Sequence, residues 1–260
     1  MFLEVKKVLL SVKYALIKEM LNKATFISNI VFMFLNNAAF IIEWQVFFSL
    51  SSSFGSYTMH KVLLLWSLAA GIYGISNLFF RDSYFLSDII SDGRLDTYLV
   101  QPRNVLINSI TGNVEVSSIG DIIYSIIILL ICKPSFYEFI LFIFFTIIGA
   151  LVLTSFVVIL GSLAFFIKKS DMISDSMTNL VISFSTYPGS IFKGITKLLL
   201  YTIVPVGIIS YMPVEVISNF NLFNFLIIIA YAVFMIFLAF YIFNKGLKRY
   251  SSSNLMVAKL

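Results

Sequence analysis

The chain has 260 residues, 60% of them hydrophobic and 12% charged, with a mean hydropathy of +0.98 and a formal net charge of +5. Soluble domains run nearer about 45–50% apolar and about 25% charged, so this composition excludes a water-soluble enzyme and calls for hydrocarbon as solvent. One cysteine, Cys132, and one histidine, His60, exclude an internal disulfide and a metal centre built from Cys or His clusters.

From the N-terminus, residues 1–22 read as an amphipathic helix lying on the membrane. At about 100° per residue, Val5, Leu9, Val12, Leu16 and Met20 share one face. Lys7, Ser11 and Lys18 lie opposite, and Lys6 and Lys13 sit on the boundary, where they can snorkel. No cleavable leader is expected, because these lysines interrupt any compact apolar core.

A membrane-crossing helix needs about 20 apolar residues. Five runs meet this near 24–48, 61–80, 113–132, 137–167 and 222–243, and a sixth, more polar, lies near 172–190. The fourth is over-long and must tilt or protrude. The apolar stretch 196–213 is interrupted by Pro205 and Pro213, which break helices readily.

Basic residues set the orientation. With the N-terminus in the cytoplasm, Lys6, Lys7, Lys13, Lys18 and Lys23 lie inside. So do Arg81, Arg94 and Arg103, then Lys168 and Lys169, then Lys245, Lys248, Arg249 and Lys259. Only Lys61, Lys133, Lys193 and Lys197 fall outside. A full crossing by 196–213 would move the Lys245–Arg249 cluster outside, so six spans are expected, with 196–213 as a re-entrant hairpin. Such irregular backbone must be buried in protein. The chain then forms one transmembrane domain over 1–260, with an external hairpin at 191–216 and its largest cytoplasmic loop at 81–112. That leaves no room for a soluble catalytic domain. No basic patch interleaves with aromatics on a polar face, so no nucleic-acid partner is expected.

In the cytoplasmic loop, Phe85, Ile89 and Ile90 have helical spacing with Asp82, Asp88 and Asp92 around them. Gly93 is a suitable helix stop, Leu95 and Leu99 follow four apart, and Pro102 ends the segment. The pattern predicts a short amphipathic helix and a further turn lying against the inner membrane face. It is either an ordinary loop helix packing on the bundle or a handle for a cytoplasmic partner.

Polar residues inside the spans divide in the same way. Asp121, with Ser118, Ser125 and Glu115 nearby, is either an acid lining a pathway or a carboxylate satisfied by a neighbouring span. Ser176, Asn179, Ser183 and Thr186 share one face of the fifth span, suited to helix contacts or to a route between chains, and Asn36–Asn37 in the first span allow the same two readings. Trp44 reads as an outer-interface anchor marking Glu43 as the end of the first span. His60 is expected to be solvated and Cys132 inert. Gly189–Thr196 has paired glycines like a P-loop, but Ile195 stands where the lysine belongs, so it is assigned no nucleotide role.

Gly93-Arg94-Leu95-Asp96-x-x-Leu99-x-x-Pro102 resembles the pattern after the second span of ABC-2 type transporter permeases, in particular a bacterial six-span subgroup of unknown substrate. Tyr187-Pro188, Ile203-Val204-Pro205-Val206 and Tyr211-Met212-Pro213 resemble that subgroup's segment between spans five and six. The resemblance implies an all-α membrane fold in which Asp82 to Pro102 contains the coupling helix. Phe85, Asp88, Ile89, Asp92, Gly93, Leu95, Asp96, Leu99 and Pro102 would then face an ATP-binding cassette ATPase subunit. Tyr187, Pro188, Pro205, Tyr211 and Pro213 would belong to short external helices that close the pathway. Two permease chains, identical or not, would pair above two ATPases, with Asn36, Asp121, Ser176, Asn179 and Ser183 at the pathway or dimer interface. ATP and Mg would be bound by the ATPase, leaving no cofactor and no catalysis in this chain, which would sit in the bacterial cell membrane with both termini cytoplasmic. An ion-driven secondary transporter is the alternative, but the expected inverted repeat is missing. A lipid-modifying enzyme fits less well, with one histidine and scattered acids. The spans' Ser, Thr and Asn among apolar residues suit an amphipathic or lipophilic cargo.

Overall fold

The computed structural model describes residues 2–50, 53, 55–167 and 170–251, and the side chains of 2–5 and 7 are not among those described. Lys168, Lys169 and Lys259 of the charge pattern, and the side chains of Val5 and Lys7 of the amphipathic face, therefore lie outside the described residues. The helices in chain order are α1 Phe2–Glu19, α2 Lys23–Leu50, α3 Met59–Phe80, α4 Leu86–Ser91, α5 Asp96–Leu99 and α6 Val105–Ile110. Then come α7 Ser118–Ile131, α8 Phe136–Gly161, α9 Asp171–Ser185, α10 Gly194–Thr202, α11 Met212–Ser218 and α12 Leu222–Leu247. No strand occurs among the described residues.

Helices begin where a side chain can take up otherwise free N–H groups. Asn221 accepts from the Phe223 and Asn224 N–H groups at 2.9 and 3.2 Å and starts α12. Ser135 and Glu138 form a reciprocal capping box at the head of α8. Asn104 accepts from the Ile107 N–H at 3.2 Å and starts α6.

Four segments are long and apolar enough to cross a membrane: α2, Met59–Ser91, Phe136–Phe165 and α12. α3 ends at Phe80, as expected of the second span; a tight turn at Arg81–Phe85 then carries the helical path into α4, so that the whole makes a 33-residue segment. The amphipathic helix expected flat on the membrane is thus the continuation of the second span. The third span begins only at Ser118, because Gly112–Ser117 is irregular, and its 14 residues rise ~21 Å at about 1.5 Å each. The fifth, α9, has 15 residues and carries too many Ser, Thr, Asn and Asp to pass as an apolar span. Length and apolarity alone therefore give four crossings, or five if the pair α10 and Gly207–Ser218, bent by 79°, counts as one.

Contacts at the two ends order the bundle. At one end, called here the elbow end, Arg81 pairs with Glu115 at 2.9 Å, α4 touches α9, and Phe165 packs on Phe243 and Tyr250. At the other end His60 Nε2 lies 3.2 Å from the Cys132 carbonyl, Trp44 meets Tyr187, and Tyr137 meets Phe220. His60 is exposed and Cys132 half-buried. The segment from Tyr187 to Phe220 starts and finishes at this second end, while Ile209 in its middle reaches Gly149, halfway along α8. It is a hairpin dipping into the bundle. Its descending arm, α10, is mostly exposed, and its tip and returning arm, Val204–Ile217, are mostly buried. Pro213 does not break this arm: it follows directly on the widened π-type turn Gly207–Tyr211, where the ordinary i→i−4 ladder is already interrupted.

Without a strong hydrophobic drive between helices in lipid, close approach depends on small residues. Gly71 and Gly74 of α3 face Ser125 and Asp121 of α7. Gly120 of α7 lies against the α2 backbone at Ile30 and Phe34. The main core lies between α3, α8, the hairpin and α12. α2 leaves most of its length exposed, as does one face of α12. Of the α1 face expected to bury, Val12 is buried but Leu9 and Met20 are exposed.

Candidate functional site

The elbow is a rigid base carrying an exposed tip. Leu86, Ile89, Ile90, Leu95, Leu106 and Ile110 form one buried cluster with Val158, Ala239 and Phe243 of the long helices. Gly93 adopts φ +74°, a left-handed conformation that glycine takes without a Cβ penalty, and turns the chain out of α4. The Leu95 N–H then donates back to the Ile89 carbonyl at 3.2 Å.

This turn separates two residues that the sequence pattern puts on one edge. Leu95 is 0% exposed, whereas Leu99 is 43% and Val100 85% exposed. Ile89 is buried with Leu95, and Asp88 is half-buried. Phe85, half out of the surface, stacks under the Arg81 guanidinium at 4.7 Å. Asp92 and Pro102 are exposed, and Asp92 pairs loosely with Arg94 at 3.4 Å, an exposed contact of little energetic weight. The accessible part of the expected coupling segment is therefore Phe85 and Asp92 to Pro102 outside Leu95, with Leu99–Val100 as its apolar point.

Residues given no coupling role in the sequence hold the elbow in place. Buried Asp82 accepts from the Asn113 backbone N–H at 2.9 Å and from its side-chain amide at 3.0 Å, joining the two ends of the loop. Asn108 donates to Gln101 at 2.7 Å and accepts from Arg103 at 3.1 Å. No local pattern announces the Asp82–Asn113 pair, whose partners lie 31 residues apart. Burial, with the Asp82 carboxylate nearby, pushes the Tyr98 phenol above its ordinary value, so it stays neutral. Tyr250 packs against the elbow cluster, and burial first and the Asp96 carboxylate second push its phenol up to about 12.

The second feature is a cavity of about 460 Å³ between α2, α3, α7, α9 and the hairpin tip. It gathers Asn36, Asp121, Asn179 and Ser183 from three separate helices; Ser176 sits outside it on the exposed face of α9. Asn37 donates from one amide to the Met33 carbonyl at 3.1 Å and to Asp121 Oδ1 at 2.5 Å. One carboxylate oxygen of Asp121 is thus satisfied by a neighbouring span. The other, Oδ2, is buried without a partner among the described residues. The same is true of Trp66 Nε1 and the Ser185 and Ser210 hydroxyls, which also line the cavity and which the sequence did not single out.

The hairpin closes the far end. Tyr211 is buried, donates its hydroxyl to the Phe184 carbonyl at 2.7 Å and stacks on Phe192. Pro188 and Pro205 are buried beside it, while Tyr187 stands half out of the surface. Trp44 lies at this end too, 6% exposed and packed on Tyr187, Phe47 and Phe48, while neighbouring Glu43 is exposed.

Comparison with curated proteins and with solved structures gives no match. A protein family described as ABC-2 family transporter protein matches residues 34–254, which takes in the elbow, the cavity and the hairpin. A multi-pass helical membrane protein whose sequence fits that family over most of its length belongs to it: the chain is a member of the ABC-2 transporter family.

Proposed function

We propose that the chain is the permease subunit of an exporter powered by a separate ATP-binding cassette ATPase. The observation that carries this reading is the elbow. A membrane protein gains nothing by presenting Leu99 and Val100 to water on a base as firmly packed as Leu86, Ile89, Leu95 and Phe243. An exposed apolar tip on a rigid mount suits a groove in a partner that must transmit force.

In this proposal the elbow end is cytoplasmic. It carries Lys18, Lys23, Arg81, Arg94, Arg103, Lys245, Lys248 and Arg249, whereas Lys61, Lys133, Lys193 and Lys197 belong to the other end, in keeping with the positive-inside bias. α2, α3, α7, α8, α9 and α12 are the six crossings. α7 and α9 are counted among the crossings although short, at 14 and 15 residues. The hairpin of α10 and α11 closes the pathway from outside. A second permease chain covers α9, whose Asp175, Ser176, Asn179 and Ser183 are exposed at membrane depth. Such a polar stripe is costly against lipid and favourable against a protein or wet surface.

ATP binding by the partner would draw two elbows together. The tightly packed bundles would then rock between inward-open and outward-open states, an equilibrium biased by nucleotide. Met59–Ser91 follows one nearly continuous helical path, so a push at the elbow is passed along it to α3, which lines the cavity. The test is co-expression with candidate cassette ATPases and purification in mild detergent or nanodiscs. A stable complex with nucleotide hydrolysis is expected. A chain that moves cargo in vesicles under an ion gradient with no ATPase bound would establish the secondary-transporter reading instead.

A further inference from the structure

We infer that the cavity walled by α2, α3, α7 and α9 binds an organic cation with an apolar body, its positive centre held by Asp121. The inference rests on the permease reading and names the chemical class of its cargo.

Asp121 is 3% exposed, and of its two oxygens only Oδ1 has a hydrogen bond, from Asn37. Oδ2 is buried and unpartnered among the described residues, and Asp121 is one of the residues lining the cavity. A buried carboxylate is expensive unless a positive charge or a donor meets it. No Lys, Arg or His lines the cavity. The charged groups at the adjoining end of α3 and α7, Arg81 and Glu115, are engaged with each other at 2.9 Å. The protein thus supplies an acceptor and no cation of its own.

The rest of the wall decides what kind of cation fits. A hard metal ion needs about six or more converging oxygens. Among the described residues no cluster of three His, Cys, Asp or Glu exists, and the cavity holds a single carboxylate. A volume of about 460 Å³ suits a molecule of drug size. Phe40 and Trp66, stacked with centroids 4.3 Å apart, and Tyr73 add aromatic surface. Such rings accommodate both an apolar body and a diffuse positive charge. The exposed side chains of Asn36, Asn179 and Ser183 on the same wall can meet polar substituents.

The test uses two hydrophobic ions of nearly the same shape and opposite charge, tetraphenylphosphonium and tetraphenylborate. Binding is measured to the full chain co-purified with its ATPase in nanodiscs, with empty nanodiscs subtracted. Saturable binding of the phosphonium is expected, with the borate weaker by roughly 30-fold or more, as befits a buried charge contact. Asp121→Asn, which keeps the shape, should lose the phosphonium by a similar factor, and Asp121→Glu should retain much of it. Equal binding of both ions, no saturable phosphonium binding, or an Asp121→Asn variant that binds like the parent would overturn the inference. If Asp121→Asn does not fold, the comparison of the two ions on the parent chain decides alone. Loss of the cation preference with the ATPase still bound would refute this inference and leave the permease reading standing. Cation binding by a chain that recruits no ATPase would do the reverse.

Discussion

An aspartate at Leu99 or Val100 is expected to detach the ATPase while leaving the permease folded. Both side chains are exposed and contribute little to the internal core. A charge placed on the apolar point of a coupling surface should weaken partner binding by roughly 30-fold or more, the scale of an interface hot spot. ATP-driven transport should fall with it. The control is Leu95→Asp, four residues earlier in the same motif. Leu95 is fully enclosed by Ile89, Leu106 and Phe243. A carboxylate there is buried without a partner, so this variant should lose folded protein altogether. Size-exclusion profiles and ATPase pull-down separate the two outcomes. If Leu99→Asp and Val100→Asp both keep a full complement of ATPase, the coupling surface lies elsewhere.

Gly120→Val should damage the bundle itself. A Cβ at Gly120 would press on the Ile30 carbonyl oxygen and lie 3.0 Å from Met33 Cβ and 3.1 Å from the Phe34 nitrogen. Two of those neighbours are backbone and cannot rotate away, so α2 must separate from α7. The cost of such overpacking is about 1–3 kcal/mol, or a fall in melting temperature of roughly 2–12 °C for a chain of this size. The shift also withdraws Asn37 from Asp121, the next residue along α7. Cation binding should therefore weaken along with stability. An unchanged melting temperature would mean that α2 does not pack on α7 as closely as described.

What the sequence made legible, and what it did not, follows from the kind of signal each feature leaves. Long apolar runs locate α2, α3, α8 and α12 to within a few residues, because hydrocarbon selects for length and apolarity directly. α7 is harder: a span drawn over 113–132 takes in Asn113–Ser117, yet Asp82 captures the Asn113 N–H and holds that stretch out of the helix. Gly93 was readable as a stop because the left-handed turn leaves few alternatives to glycine. Leu95 was not readable as buried. Its spacing with Leu99 defines a face, but burial depends on Val158 and Phe243, far along the chain. The cavity was half legible. Asn36, Asp121, Asn179 and Ser183 each stood out as polar groups in apolar runs. Their convergence, and the contributions of Trp66, Ser185 and Ser210, depend on contacts between helices that no local pattern encodes. The packing of Trp44 on Tyr187 was not readable for the same reason, since the two lie far apart in the chain.

The most direct measurement is the sidedness of the elbow tip. Cys132 is the only cysteine, so Cys132→Ser combined with Leu99→Cys leaves one exposed thiol at that tip. A membrane-impermeant maleimide should label it in inverted vesicles and not in intact cells, and the bound ATPase should shield it. Labelling from the outside of intact cells would contradict force transfer through Gly93 to Pro102.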